Sequence, residues 1–183
     1  VLRKINFQNC KLLLKSSKDI NFLHKSTIYR KLSKINPSLI INCSAYTDVD
    51  GAEINKKECN LINNIAVKYI ADFCRDKNIF LIHFSTDYIF NNKKKIPINE
   101  KEIHKPLNYY GKTKSKSEKK IINSKCKYII LRMGWVYSEY GKNFIKKIIN
   151  LLKSSDVIRV VNDQTGSPTS LYLVKKIVKK IVS

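Results

Sequence analysis

The chain has 183 residues, 43% of them hydrophobic and 27% charged, with a formal net charge of +22. That size and composition describe a globular protein with one sizeable core. No apolar run approaches the about 20 residues of a membrane helix, and the Val1–Phe7 end lacks the apolar stretch of a signal peptide, so a cytoplasmic protein with no membrane segment is expected.

In chain order, Leu2 to Phe7 reads as the tail of a helix and Lys11 to Leu14 as a short strand. Ile28, Leu32 and Ile35 recur at helical spacing and stop before Pro37, as a crossover helix should. Leu39 to Ala45 reads as a buried strand, followed by a polar turn, Thr47 to Gly51. Leu61, Ile62, Ile65, Ala66, Ile70 and Phe73 give one long amphipathic helix. A strand follows from Ile79 to Ser85, then a long basic loop, Asn91 to Lys105, of the kind that serves as a lid or a binding loop.

A helix is predicted from near Tyr110 to Ile122, a strand from Tyr128 to Met133 and a helix from Phe144 to Leu152. Ile158 to Val161 reads as a short strand leading into the turn cluster Asn162 to Thr169. Thr169 and Ser170 are candidate caps for a last helix to Val182. Strands recurring about every 40 residues between helices predict an α/β fold: a Rossmann-like parallel sheet with flanking helices, without an evident domain boundary.

The high charge raises a nucleic-acid reading, which ranks second. Arg suits bidentate base and phosphate contacts, but the chain has 31 Lys to 5 Arg, spread over most segments. A solvated basic surface follows, with weak polyanion binding and no specific nucleic-acid partner. The five cysteines, Cys10, Cys43, Cys59, Cys74 and Cys126, have no C-x-x-C spacing and read as thiols in a reducing compartment. His24, His83 and His104 have no partners at metal spacing, so no metal site is expected. His83 and Arg132 are read as structural residues.

One constellation carries chemistry. Ser85-Thr86-Asp87 ends a buried strand, and Tyr110 and Lys114 lie four apart on one face of the following helix. Hydroxyls, a phenol and an amine so grouped can bind a carbonyl oxygen and protonate it. Tyr172 and Lys176 have the same spacing without such a strand end, and read as a surface coincidence.

The segments INCSAYTDVDGAE (Ile41–Glu53), FLIHFSTDYIF (Phe80–Phe90), PLNYYGKTKSKSEK (Pro106–Lys119), LRMGWVY (Leu131–Tyr137) and NDQTGSPT (Asn162–Thr169) resemble, in order, the dTDP-4-dehydrorhamnose reductase family of extended short-chain dehydrogenases/reductases. The resemblance implies reduction of the 4-keto group of dTDP-4-dehydro-L-rhamnose to dTDP-L-rhamnose with NADPH or NADH. It gives catalytic roles to Thr86, Tyr110 and Lys114: Tyr110 as proton donor, Thr86 on the keto oxygen, and Lys114 favouring the tyrosinate and reaching the nicotinamide ribose. It gives cofactor contacts to Asn21, Phe22, Ala45, Tyr46, Thr47, Phe84, Tyr110 and Lys114, with Asp19-Ile20 a competing register for Asn21 and Phe22. It gives substrate contacts to Thr86, Asp87 and Trp135. A homodimer is compatible with it.

The five glycines include none before Gly51, so the first strand and its Gly-rich phosphate loop are missing from residues 1–183. The resemblance therefore implies an incomplete NAD(P)-binding Rossmann-type domain, with the C-terminal substrate-binding portion largely absent. A start at Val1 instead of Met points the same way. The alternative is a non-catalytic remnant or binding module of the same fold.

Overall fold

The computed structural model describes residues 5, 7, 10–91, 97–141, 143–154 and 157–182. The elements are α1 (Lys25–Ile35), β1 (Leu39–Asn42), α2 (Val49–Ile54), α3 (Lys56–Asn60), α4 (Ala66–Asp76), β2 (Phe80–Thr86), α5 (Tyr109–Ser124), β3 (Tyr128–Tyr137), α6 (Phe144–Leu152), β4 (Pro168–Ser170) and α7 (Leu171–Val182). A π turn, Leu61–Ile65, joins α3 to α4, and a 3-10 turn, Asp87–Ile89, follows β2. The strand order is β1-β2-β3-β4, and the β1–β2 and β3–β4 pairs are parallel. This is the predicted α/β, Rossmann-like arrangement. Lys15–Arg132 is one compact unit; Val1–Leu14 with Met133–Ser183 is the other. The division falls inside β3, so no linker or change of composition marks it in the sequence.

In the first unit the core is Ile20, Ile28, Leu32, Ala66, Val67, Ile70, Ala71, Phe73, Cys74, Ile79, Leu81, Ile121 and Cys126. Helix α1 buries Ile28 and Leu32, one turn apart, and ends where Asn36 turns left-handed (φ 48°) just before Pro37. Strand β1 pairs with β2 from Leu39↔Phe80 to Asn42↔His83. It stops three residues earlier than predicted because Asn42 Oδ1 accepts from Ser44 N (3.1 Å) and Oγ (2.6 Å), a local alternative to the ladder. The predicted polar turn instead opens α2, with the Asp48 carboxylate accepting from Gly51 N at 3.0 Å.

The predicted single helix through Leu61 is α3, the π turn and α4 in succession. The π turn buries Asn63 and Asn64 among apolar neighbours, a placement that hydrophobic periodicity alone does not anticipate. Helix α5 is capped by Asn108, whose Oδ1 accepts from Gly111 N at 2.7 Å. Its buried face carries Thr113, Lys114, Ser115, Ser117 and Glu118, and this polar face builds the site. The segments Lys11–Leu14 and Ile158–Val161 are not strands: Leu13, Leu14, Val160 and Val161 are exposed, and neither segment pairs with a described strand. Most of the helix tail expected at Leu2 to Phe7, and residues 92–96 of the expected loop, lie outside the described residues.

In the second unit β3 pairs with β4 at Gly134↔Pro168 and Val136↔Thr169, skipping Trp135. Ser170 Oγ accepts from Tyr172 N at 3.2 Å, the predicted cap of α7, which buries Val174 and Val178. Thr169, the other candidate cap, lies in β4. On α7 Lys176 Nζ sits 4.7 Å from the centre of the exposed Tyr172 ring, a surface pairing remote in kind from an active site. No described helix is long and apolar enough to cross a membrane.

Candidate active site

The site grows from the end of β2. Thr86 terminates the strand, and its Oγ1 accepts from Tyr88 N at 3.2 Å, capping the 3-10 turn. The same hydroxyl donates to Asp87 Oδ1 at 3.2 Å and lies close enough to the Tyr110 phenol to act on its titration. Tyr110 is further fixed by an edge-on contact with Tyr88, ring centres 5.8 Å apart at 81°. Gly111 is required here. A Cβ on it would collide with the Tyr88 carbonyl, so α5 approaches the turn only without a side chain at that position.

Burial pushes the Tyr110 phenol up to about 12, against the Thr86 hydrogen bond and together with the Asp87 charge. At neutral pH the ring therefore carries its proton, the form a proton donor needs. Asp87 is raised from the usual carboxylate range by its own burial, opposed by the Thr86 hydroxyl and nearby backbone N–H groups.

Lys114, only 2% exposed, points one turn down the same helix. Its Nζ donates to the Phe84 carbonyl at 2.7 Å and lies 3.2 Å from His83 Nε2. Burial lowers the ammonium to about 8, with Glu118 and Cys59 acting in the opposite direction. The Phe84 backbone oxygen thus anchors the lysine.

Ala45, Tyr46 and Thr47 follow β1, and Asn63 of the π turn joins Tyr46 to the same helix. Asn63 Oδ1 accepts from Tyr46 N at 2.8 Å, and its Nδ2 donates to Tyr46 O at 3.0 Å and to Thr113 Oγ1 at 3.2 Å. Thr113 Oγ1 in turn donates to Tyr110 O at 2.7 Å. Asn63 was not singled out from the sequence; the signal was an Asn pair interrupting the apolar face Leu61–Ile65. Glu53, also unpredicted, accepts from Tyr109 N at 2.6 Å, placing a carboxylate at the N-terminus of α5.

Asn21 and Phe22 lie just before α1. Phe22 packs on the core, and Asn21 Oδ1 accepts from Leu23 N at 2.9 Å. In the competing register Ile20 is buried, and Asp19 is held below its ordinary range by the Ser16 backbone and hydroxyl donors. Trp135 belongs to the other unit, where it stands at the bulge of β3 with φ 41°. Positive φ is unusual for a bulky side chain, and its ring packs 5.7 Å from Phe144.

Of the two residues read as structural, Arg132 is so placed. Its guanidinium clasps both oxygens of the fully buried Glu118 carboxylate (2.7–3.2 Å) and reaches His104 Nε2 at 3.0 Å. His83 is fully buried but touches Lys114, which brings it into the site. Among the described residues no group of three or more His, Cys, Asp or Glu could hold a metal.

Comparison with known proteins places this geometry. A dTDP-4-dehydrorhamnose reductase from Escherichia coli is 39% identical over 155 residues, covering 84% of this chain and 52% of that protein. One from Aggregatibacter actinomycetemcomitans is 36% identical over 151 residues, covering 82% of this chain and 51% of that protein. The crystal structure of dTDP-4-dehydrorhamnose reductase from Bacillus anthracis in complex with NADP superposes with a TM-score of 0.93 at 31% identity, covering 98% of this chain and 64% of that one. The chain thus spans about half the length of the curated relatives it matches. With residues 1–183 matching throughout, the chain belongs to the family described as the RmlD substrate binding domain.

Proposed function

We propose that this chain is the reacting part of an NAD(P)H-dependent reductase that converts the 4-keto group of dTDP-4-dehydro-L-rhamnose into the hydroxyl of dTDP-L-rhamnose. The observation that carries the reading is Tyr110 and buried Lys114 on one helix facing the end of β2, where Lys114 Nζ is anchored on the Phe84 carbonyl, in a chain similar to reductases of that name. As a domain, residues 1–183 are read as part of an NAD(P)-binding Rossmann-type fold.

A reduced nicotinamide, when bound, supplies hydride to the carbonyl carbon. The chain's own groups do the rest. Tyr110, protonated at neutral pH, gives its proton to the carbonyl oxygen, and that oxygen becomes the new hydroxyl. Thr86, at the end of β2, holds the keto oxygen. Lys114 has two protein partners, which leaves a donor for a ribose hydroxyl, so the residues present fit the nicotinamide end of the cofactor. Ala45, Tyr46, Thr47 and Phe84 extend that contact, Asn21 and Phe22 its adenine end, and Asp87 and Trp135 take the sugar nucleotide. Placing the protein in the cytoplasm follows from the same reading.

Tyr110→Phe tests the assignment. Turnover should fall by about 10²–10⁴-fold, the range for loss of a general acid, while NADPH still binds. Turnover unchanged in this variant would overturn the role of Tyr110. The second reading is a module of the same fold that binds without turnover. Tight nucleotide-sugar binding with no reduction would select it.

A further inference from the structure

A line of four buried or half-buried groups runs from the end of β1 to the candidate lysine, and its hydrogen atoms can be placed by elimination. Ser44 N is a backbone donor 3.1 Å from Asn42 Oδ1, and Ser44 Oγ lies 2.6 Å from the same atom. A backbone N–H can only donate, so the Asn42 atom facing it is the oxygen. The Asn42 amide nitrogen therefore faces His83 Nδ1, at 3.1 Å. An amide nitrogen is a donor only, so His83 Nδ1 accepts and the ring carries its proton on Nε2. That Nε2–H points at Lys114 Nζ, 3.2 Å away.

Two forms of Lys114 can then be compared. An ammonium has three donors and no acceptor, and would set N–H against N–H inside a site where Asn42, His83 and Lys114 are 5%, 0% and 2% exposed. An amine accepts from His83 Nε2–H with its lone pair, donates one N–H to the Phe84 carbonyl at 2.7 Å, and keeps one N–H free. Only the amine satisfies every group in the line. We infer that Asn42 and His83 are positioning residues that favour the uncharged amine form of Lys114 in the ligand-free protein.

The surroundings agree. From its own helix Lys114 faces Glu118, from α3 it faces Cys59, and from β2 it faces His83 and the Phe84 carbonyl. Glu118 and Cys59 would favour the ammonium, but Glu118 is already clasped by Arg132 Nη2 at 2.7 Å. Burial lowers the lysine to about 8 and takes His83 well below 6.5. This assignment rests on the reductase reading only for its consequence: Lys114 would tune the phenol after the cofactor reaches it and not before.

The test is nitrogen-15 NMR of His83 and Lys114 in the ligand-free chain, with no cofactor or substrate. Expected are a bare Nδ1 and a protonated Nε2 on His83, and a Lys114 midpoint at or below about 8. Protonated Nδ1, or an ammonium persisting above that midpoint, overturns the inference. Asn42→Asp supplies an acceptor in place of the amide donor, so His83 should move its proton to Nδ1. The Lys114 acid constant should then fall about tenfold or more, a rise of about one pH unit. Asn42→Asp without a tautomer change also overturns it, and the wild-type spectrum decides the matter if that variant does not fold. Failure of the reductase reading shows instead as absent turnover with these spectra unchanged.

Discussion

The indole of Trp135 lies directly over Gly166: a Cβ at Gly166 would stand 2.5 Å from Nε1 and Cε2 of the ring. Glycine in the NDQTGSPT segment is therefore a packing surface for the chain's one tryptophan. Gly166→Ala should displace the ring and change its fluorescence emission, with about 1–3 kcal/mol of stability lost to overpacking. An emission spectrum identical to wild type would show that the ring does not rest there.

In the first unit Gly111 makes a comparable contact, against the Tyr88 carbonyl, which is backbone and cannot swing aside. Gly111→Ala should lower the unfolding free energy by about 1–3 kcal/mol in urea, and should move Tyr110 off Thr86. A variant as stable as wild type would mean that the α5 approach to the 3-10 turn is looser than described.

Glu118 is 0% exposed and depends on Arg132, which reaches both of its oxygens. Arg132→Met leaves that carboxylate buried without its cation and should cost about 3–5 kcal/mol. Adding Glu118→Gln should recover a substantial part, because the stranded charge is gone. Strict additivity of the two substitutions in a double-mutant cycle would contradict the pairing.

His83, buried, and His104, half-buried, set the acid limb of stability. His83 is held well below 6.5, chiefly by burial and then by Lys114; His104 is lowered by burial and Arg132, against Glu118. The unfolded chain thus binds more protons than the folded one below about 6.5, so stability present above that pH is lost as pH falls. Lys114, lowered from 10.5 to about 8, has the same sign: unfolding free energy should rise between those values. Urea midpoints measured from pH 5 to 9 check both limbs; a midpoint that rises on acidification would contradict them.

Most of the architecture was legible because strand and helix periods differ and proline and polar turns punctuate them. Helix α6 matches its predicted span, and Tyr110 and Lys114 share the expected helix. What was not legible depends on long-range partners. Lys11–Leu14 and Ile158–Val161 have strand composition, yet a strand needs a neighbour and neither pairs with one. The long helix hides a π turn because Asn63 answers to Tyr46, 17 residues away, a contact that no local pattern encodes. His83 looked structural for the same reason: its meaning comes from Asn42, 41 residues before it, and Lys114, 31 after.

The most direct test of the central claim is isotope transfer. The protein is incubated with NADPH carrying deuterium at the transferring position and with dTDP-4-dehydro-L-rhamnose, at salt high enough to suppress polyanion binding to a +22 surface. The account predicts one deuterium at C4 of the dTDP-sugar product, lost together with turnover in Tyr110→Phe. Bound NADPH with no labelled product would contradict it.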